Sequence, residues 1–227
     1  MASNSTSVLE AIRERSGVTI EVISGEEESR LAYLAVVAGL GMGSGTAAVF
    51  DTGGGSSQFT FGQGGSVEER FSVNVGAARY TERFGLDKAV SRETLDAAVQ
   101  QIRSDLSRLD GRRRPDRLIG MGGAVTNLTA VALAMATYEP ERVQGASLER
   151  AEIDRQIEQY RKLDAADRRS IVGLQPNRAE VILAGACIVR TIMEALDQAS
   201  FTVSDRGLRH GVLLDRFGTA DPPRGGA

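Results

Sequence analysis

Apolar residues recur at helical spacing early in the chain, then shift to the tighter alternation of strands. Ser7 to Arg15 reads as a short helix with Val8, Leu9 and Ile12 on its apolar side, ended by Ser16-Gly17. Val18–Ile23 reads as a compact strand. Ser24-Gly25-Glu26-Glu27 then matches a capping box, with Ser24 as the cap and Glu27 at the third helical position. The helix it opens carries Leu31, Leu34 and Val37 on an inner stripe and fades into the glycine-rich break Gly39–Gly45. Beyond that break Thr46–Phe50, Ser57–Phe61 and Glu69–Val75 read as three strands of an antiparallel meander. Gly53-Gly54-Gly55 and Gly62–Gly65 supply its turns.

Helical spacing returns at Ala77–Phe84 and Ser91–Leu109, a strand at Arg117–Met121 and an apolar helix at Ala124–Thr137. Further helices are expected at Leu148–Leu163, Ala165–Ile171 and Arg178–Ala199. A strand at Phe201–Val203 and a short helix through Leu214 close the pattern, and residues 218–227 read as a loose tail. Three strands, then helices alternating with single strands, make an α/β fold with a mixed sheet and flanking helices.

Composition narrows the classes. The 227 residues are 41% apolar, enough for one substantial core or two small ones. The longest apolar runs, near Ala35–Leu40 and Leu128–Met135, are far short of a membrane span, and the opening residues show no secretory signal. One cysteine, Cys187, lies in an apolar run and reads as a buried structural thiol. A cytoplasmic location fits these features. A net charge of −3, no Trp and four Tyr argue against nucleic-acid binding. The basic run Arg112-Arg113-Arg114 reads as a solvated loop between a helix and a strand.

The strongest local chemical signal is Phe50-Asp51-Thr52-Gly53-Gly54-Gly55-Ser56. A strand delivers Asp51 to the sheet edge, and glycines without a Cβ let backbone amides approach an anion. Ser56 adds a hydroxyl, and Asp51 can hold Mg²⁺ or orient a water. The run lacks the Gly-Lys-Ser/Thr ending of a P-loop and the GxGxxG of dinucleotide sites, and a plain glycine-rich hairpin would also explain it. Gly122 and Gly123 form a second glycine turn at a helix start, which suits either phosphate or close packing. Glu26, Glu27 and Glu28 either complement a helix dipole or include a proton acceptor. Arg178 can meet phosphate or pair with Glu180. Asp205 and Arg209 read as a local ion pair. His210, the single histidine, reads as a surface helix residue before a proton carrier.

Together Val22–Leu31, Asp51–Ser56, Gly120–Gly123, Asn177–Gly185 and Ser204–Gly211 resemble, in order and spacing, the exopolyphosphatase/guanosine pentaphosphate phosphohydrolase (Ppx/GppA phosphatase) family. The resemblance implies an actin-like, ribonuclease H-like fold. It also implies hydrolysis of terminal phosphoanhydrides of polyphosphate or guanosine pentaphosphate, usually with Mg²⁺. By motif position Glu28 looks like the general base and Asp51 like the acid that assists metal and water. Gly53, Gly54, Gly55 and Ser56 look like the second phosphate loop, with Gly122, Gly123 and Arg178 expected beside it.

Three positions depart from the family pattern: Gln58 and His210 stand where Glu is usual, and Ala124 where Thr is usual. The start at Ala2-Ser3-Asn4 resembles a segment late in the family's first lobe. Residues 1–39 are therefore expected to be a remnant of that lobe with its connecting helix, and 40–217 a complete second lobe. The Val18–Ile23 strand, without sheet neighbours, would pair with a second copy in a homodimer, stay mobile or lie under the first helix. Weak or absent activity of this chain alone is expected, with a non-catalytic phosphate- or nucleotide-binding module as the alternative. A sugar or acetate kinase of the same broad fold is set aside for want of an acceptor-binding insertion.

Overall fold

The computed structural model describes residues 5–218 apart from Met42 and Gly65. Two helices come first, α1 (Ser5–Ser16) and α2 (Gly25–Leu40). The meander follows as β1 (Thr46–Thr52), β2 (Ser57–Gln63) and β3 (Ser66–Val73), each antiparallel to the next. After α3 (Ala77–Phe84) and α4 (Arg92–Asp105), β4 (Arg117–Met121) enters parallel to β1. The chain continues through α5 (Gly123–Ala132), α6 (Pro140–Val143), β5 (Ser147–Glu149), α7 (Arg150–Tyr160), α8 (Ala165–Arg168) and α9 (Ile182–Ala195). It closes with β6 (Ser200–Val203), parallel to β4, and α10 (Leu208–Phe217). The sheet order is β3-β2-β1-β4-β6-β5.

Alternation along β1 explains the layering. Ala48 and Phe50 point into the larger core, built with α3, α4, α5, α7 and α9. Ala47 and Val49 point into a smaller one closed by Ala32, Tyr33 and Val36 of α2. Phe50 meets Phe201 of β6 edge-on, with ring centres 5.6 Å apart. α2 is held on its outer side by α10, where a β-carbon on Gly211 would come within 1.9 Å of the Leu31 carbonyl oxygen. Arg30 of α2 also forks onto Glu27 (2.7 Å) and reaches Asp215 of α10 (2.8 Å). No helix among the described residues is long and apolar enough to cross a membrane.

Several expectations change. Residues 17–24 form no strand: Val18, Ile20 and Val22 are 56, 43 and 51% exposed, with no sheet partner among the described residues. An apolar alternation without a neighbouring strand leaves its backbone groups to water. Ser24 caps α2 by accepting from the Glu27 N–H (3.1 Å), but the Glu27 carboxylate turns to Arg30 and does not complete a capping box. The buried face of α2 is Leu31, Ala32, Tyr33, Ala35 and Val36, while Leu34 and Val37 are half-buried. The helix expected from Leu148 begins as β5, which pairs with β6, and only then becomes α7. Helix α5 stops at Ala132, before the left-handed Ala134, and α9 is preceded by the 3₁₀ turn Pro176–Arg178.

Arg112 is not a solvated loop residue. It donates to both Glu69 oxygens (2.7 and 3.0 Å) and lies 4.5 Å from the Phe61 ring centre and 4.9 Å from that of Phe71. Cys187 is buried, and burial pushes its thiol up to about 12. The tail from residue 219 and part of the Gly39–Gly45 and Gly62–Gly65 runs fall outside the described residues.

Candidate active site

Strands β1, β4 and β6 run parallel and side by side, so their carboxyl ends open on one edge of the sheet. Ligand crevices of α/β sheets form at such edges. A cleft of about 500 Å³ lies there, lined by Asp51, the Gly122-Gly123 turn, Arg178, Asp205 and His210 among others. Asp51 pairs with Met121 in the β1–β4 register, which sets it beside that turn. Gly122 has φ +89°, and a β-carbon on it would lie 2.1 Å from Asp51 Oδ1. A side chain at position 122 would be strained in backbone and would displace the carboxylate.

Electrostatics single out Asp51. Burial first, and the negative charge of Glu28 second, push its carboxyl up to about 6. Glu28 stands half-buried in the first turn of α2, its N–H bonded to the Ser24 carbonyl (2.9 Å). The cap therefore fixes the turn that brings Glu28 within electrostatic reach of Asp51. Glu28 does not itself line the cleft of Asp51 and Arg178. Asp51 and Glu28 are two acids, and no group of three His, Cys, Asp or Glu able to cage a metal occurs among the described residues.

The glycine loop is ordered from outside. The carbonyls of Gly53 and Gly54 accept from Ala77 and Ala78 at the start of α3 (2.9 Å each), and Gly53 N–H donates to the Ser56 carbonyl (2.9 Å). Among the described residues no backbone carbonyl takes the N–H groups of Gly54, Gly55 or Ser56. Those amides remain available to an anion. Gln58 donates its amide to Ser56 Oγ (2.9 Å), which occupies an acceptor and leaves the Ser56 hydroxyl proton to donate elsewhere.

Arg178 joins the two glycine turns. A β-carbon at Gly123 would lie 2.9 Å from its guanidinium carbon. The same arginine lines a small recess with Gly53, Gly54 and Ala124. It makes no ion pair with Glu180, which pairs with Arg169 instead (3.6 Å). Gly55 and Ser56 stand at the loop tip, outside the lining of the main cleft. His210 is exposed in the first turn of α10 and its Nδ1 accepts from the Gly207 N–H (3.3 Å).

Other lining residues were not legible in the sequence. Asn127 donates to the Gly123 carbonyl and accepts from Gln175 N–H (2.9 Å each), clamping the second glycine turn to the segment before Arg178. A buried amide inside the apolar run of α5 was its one available signal. Tyr138 donates its hydroxyl to Asp205, and Asp205 N–H donates to Gln144 Oε1 (2.8 Å). The expected Asp205–Arg209 pair is not among the salt bridges of the described residues, because Tyr138 holds that carboxylate.

Residues 1–220 match the Ppx/GppA phosphatase family. The chain belongs to that family. It is 29% identical over 224 residues to exopolyphosphatase 1 of Mycobacterium leprae, covering 95% of this chain and 65% of that protein. It is 26% identical over 219 residues to the bifunctional 3-dehydroquinate synthase/phosphatase of Fusobacterium nucleatum, covering 94% of this chain and 33% of that one. The chain thus spans about one third to two thirds of the length of these curated relatives. Among solved structures, the Ppx/GppA enzyme of Aquifex aeolicus superposes with a TM-score of 0.85 at 32% identity, over 95% of this chain and 71% of that one. The mixed sheet and its helices are therefore the actin-like, ribonuclease H-like fold of Ppx/GppA proteins.

Proposed function

We propose that this chain is the second-lobe portion of a phosphatase that hydrolyses terminal phosphoanhydrides of inorganic polyphosphate or guanosine pentaphosphate. The observation that carries the reading is Asp51. Its carboxyl sits at the end of β1 against Gly122, pushed up to about 6 by burial and by Glu28, on a cleft shared with Arg178. A buried acid perturbed by a neighbouring charge and set in a cleft is the physical mark of a reaction-site candidate.

In this reading Arg178 and the amides of Gly54, Gly55 and Ser56 hold the terminal phosphoryl oxygens. Gly122 and Gly123 let those oxygens approach the backbone closely. Glu28 accepts a proton from a water aligned with the phosphorus–oxygen bond that breaks, and Asp51 orients that water. The donors meet the charge that grows on the transferring oxygens. Asp51, whose ionisation burial and the Glu28 charge disfavour, fits a divalent cation, which commonly takes one or two carboxylates and completes its shell with phosphate and water. Asp51, assisted by Glu28, would hold Mg²⁺, and the ion would neutralise phosphate charge.

We further infer that residues 1–39 belong to the end of a first actin-like lobe, and 40–217 to the second. The exposure of Val18, Ile20 and Val22 supports this, since a lobe packed on that side would cover them. In this reading a lobe on that side shuts water out of the cleft and orients the phosphate, so residues 1–227 assayed without one should hydrolyse slowly. A second reading, a phosphate- or nucleotide-binding module without catalysis, is favoured by Gln58, a neutral amide on β2 bonded to Ser56 of the phosphate loop, and by Ala124 and His210.

Phosphate release from long-chain polyphosphate with Mg²⁺, for the chain and for Glu28→Ala, separates the two. Slow release that Glu28→Ala abolishes supports the phosphatase. Binding of polyphosphate without any release supports the module. Brisk Glu28-dependent turnover would overturn the claim that the chain alone is weak.

A further inference from the structure

The cleft at the carboxyl ends of β1, β4 and β6 carries a second fixed carboxylate, Asp205, which the proposed hydrolysis does not use. Its backbone is held at two consecutive amides: Ser204 N–H donates to the Gly120 carbonyl (2.8 Å), and Asp205 N–H donates to Gln144 Oε1 (2.8 Å). Tyr138 donates its hydroxyl to Asp205 Oδ1. Burial first and this carboxylate second raise the phenol, so it stays a donor at neutral pH. Among the described residues no cation pairs with Asp205 and no hydrogen bond reaches Oδ2, so a residue that lines the cleft keeps a free acceptor.

A held carboxylate is a poor wall for inorganic polyphosphate. That chain offers acceptor oxygens and negative charge, and it would meet Asp205 with like-charge repulsion. A ribonucleoside polyphosphate brings hydroxyl and N–H donors next to its phosphates. The cleft, at about 500 Å³, lies in the size range of small-molecule pockets and has apolar surface from Tyr138, Pro140 and Leu208 beside Asp205.

We propose that Asp205, oriented by Tyr138, is a specificity-determining residue that selects ligands with a hydrogen-bond-donating nucleoside attached to the phosphates over bare phosphate chains. This rests on the reading of Asp51, Gly122, Gly123 and Arg178 as the phosphate site. The discrimination works in both directions: Oδ2 rewards a donor and repels an anion.

Calorimetric titration of the 227-residue chain with GTP, ATP and inorganic tripolyphosphate, each with Mg²⁺, tests it. The chain should bind a nucleotide about tenfold or more tightly than tripolyphosphate, and Asp205→Ala should erase that preference while leaving tripolyphosphate binding unchanged or tighter. Tyr138→Phe, which keeps the ring and removes only the orienting hydroxyl, should shrink the preference about threefold, and carries the test if Asp205→Ala misfolds. A loss shared by GTP and ATP assigns the ribose as donor; a loss for GTP alone assigns the base. Equal weakening of all three ligands by Asp205→Ala, as for a metal ligand, would overturn the proposal, as would a wild-type chain with no nucleotide preference. Tripolyphosphate binding that Arg178→Ala removes, without nucleotide preference, would leave the phosphatase reading standing and sink this one. Binding of neither ligand would sink both.

Discussion

Two short apolar stretches of the chain both read as strands and meet opposite fates. Thr46–Thr52 becomes β1 at the centre of the sheet, with Ala48 and Phe50 in one core and Ala47 and Val49 in the other. Val18, Ile20 and Val22 alternate with polar neighbours and stay exposed, without a partner strand among the described residues. Local pattern sets which residues share a face. Neighbouring strands decide whether that face becomes structure, because unpaired backbone groups cannot be buried.

Substitutions in the two stretches should separate accordingly in denaturant unfolding. Phe50→Ala, which empties a fully buried site against Phe201, should cost about 3–5 kcal/mol. Gly211→Val should cost about 3 kcal/mol, by driving α10 off the Leu31 carbonyl of α2. A loss as large from Ile20→Ser would break the comparison, since that side chain should change stability by no more than about 0.5 kcal/mol.

Asp51 sharpens the contrast, because a well-buried central strand also carries a group that burial disfavours. Between about pH 4 and 6 the folded chain keeps a proton on Asp51 that the unfolded chain has released. Its contribution thus favours the fold below pH 4 and is lost as pH rises through 6, by at most about 3 kcal/mol. Asp51→Asn should recover up to that amount at pH 8 and flatten stability across pH 4–6 while abolishing activity. A destabilised Asp51→Asn at pH 8 would mean that the carboxylate supports the fold.

Much of the fold was legible because its signals are local. Periodicity located β1, β2, α3 and β4 with their starts in place, while β3 begins three residues before the expected Glu69. Glycine turns pointed to Asp51, Gly122 and Gly123, and the start of an expected helix to Arg178; the fold gathers all four on one cleft. Contacts between distant segments were not legible. β5 is three residues long and exists through pairing with β6, so its sequence looked like the start of α7. Tyr138 and Asp205 are 67 residues apart, and the place of β6 beside β4 brings them together. Arg112 looked solvated because its partners, Glu69, Phe61 and Phe71, lie on the meander.

The central claim is that Glu28 and Asp51 act as one electrostatic unit at the carboxyl end of β1. The carboxyl carbon-13 resonance of Asp51, followed by NMR against pH in the native chain and in Glu28→Gln, tests it most directly. Titration near pH 6 in the native chain, moving partway toward the ordinary aspartate value in Glu28→Gln, is the predicted result. An Asp51 that titrates near pH 4 in both would contradict it.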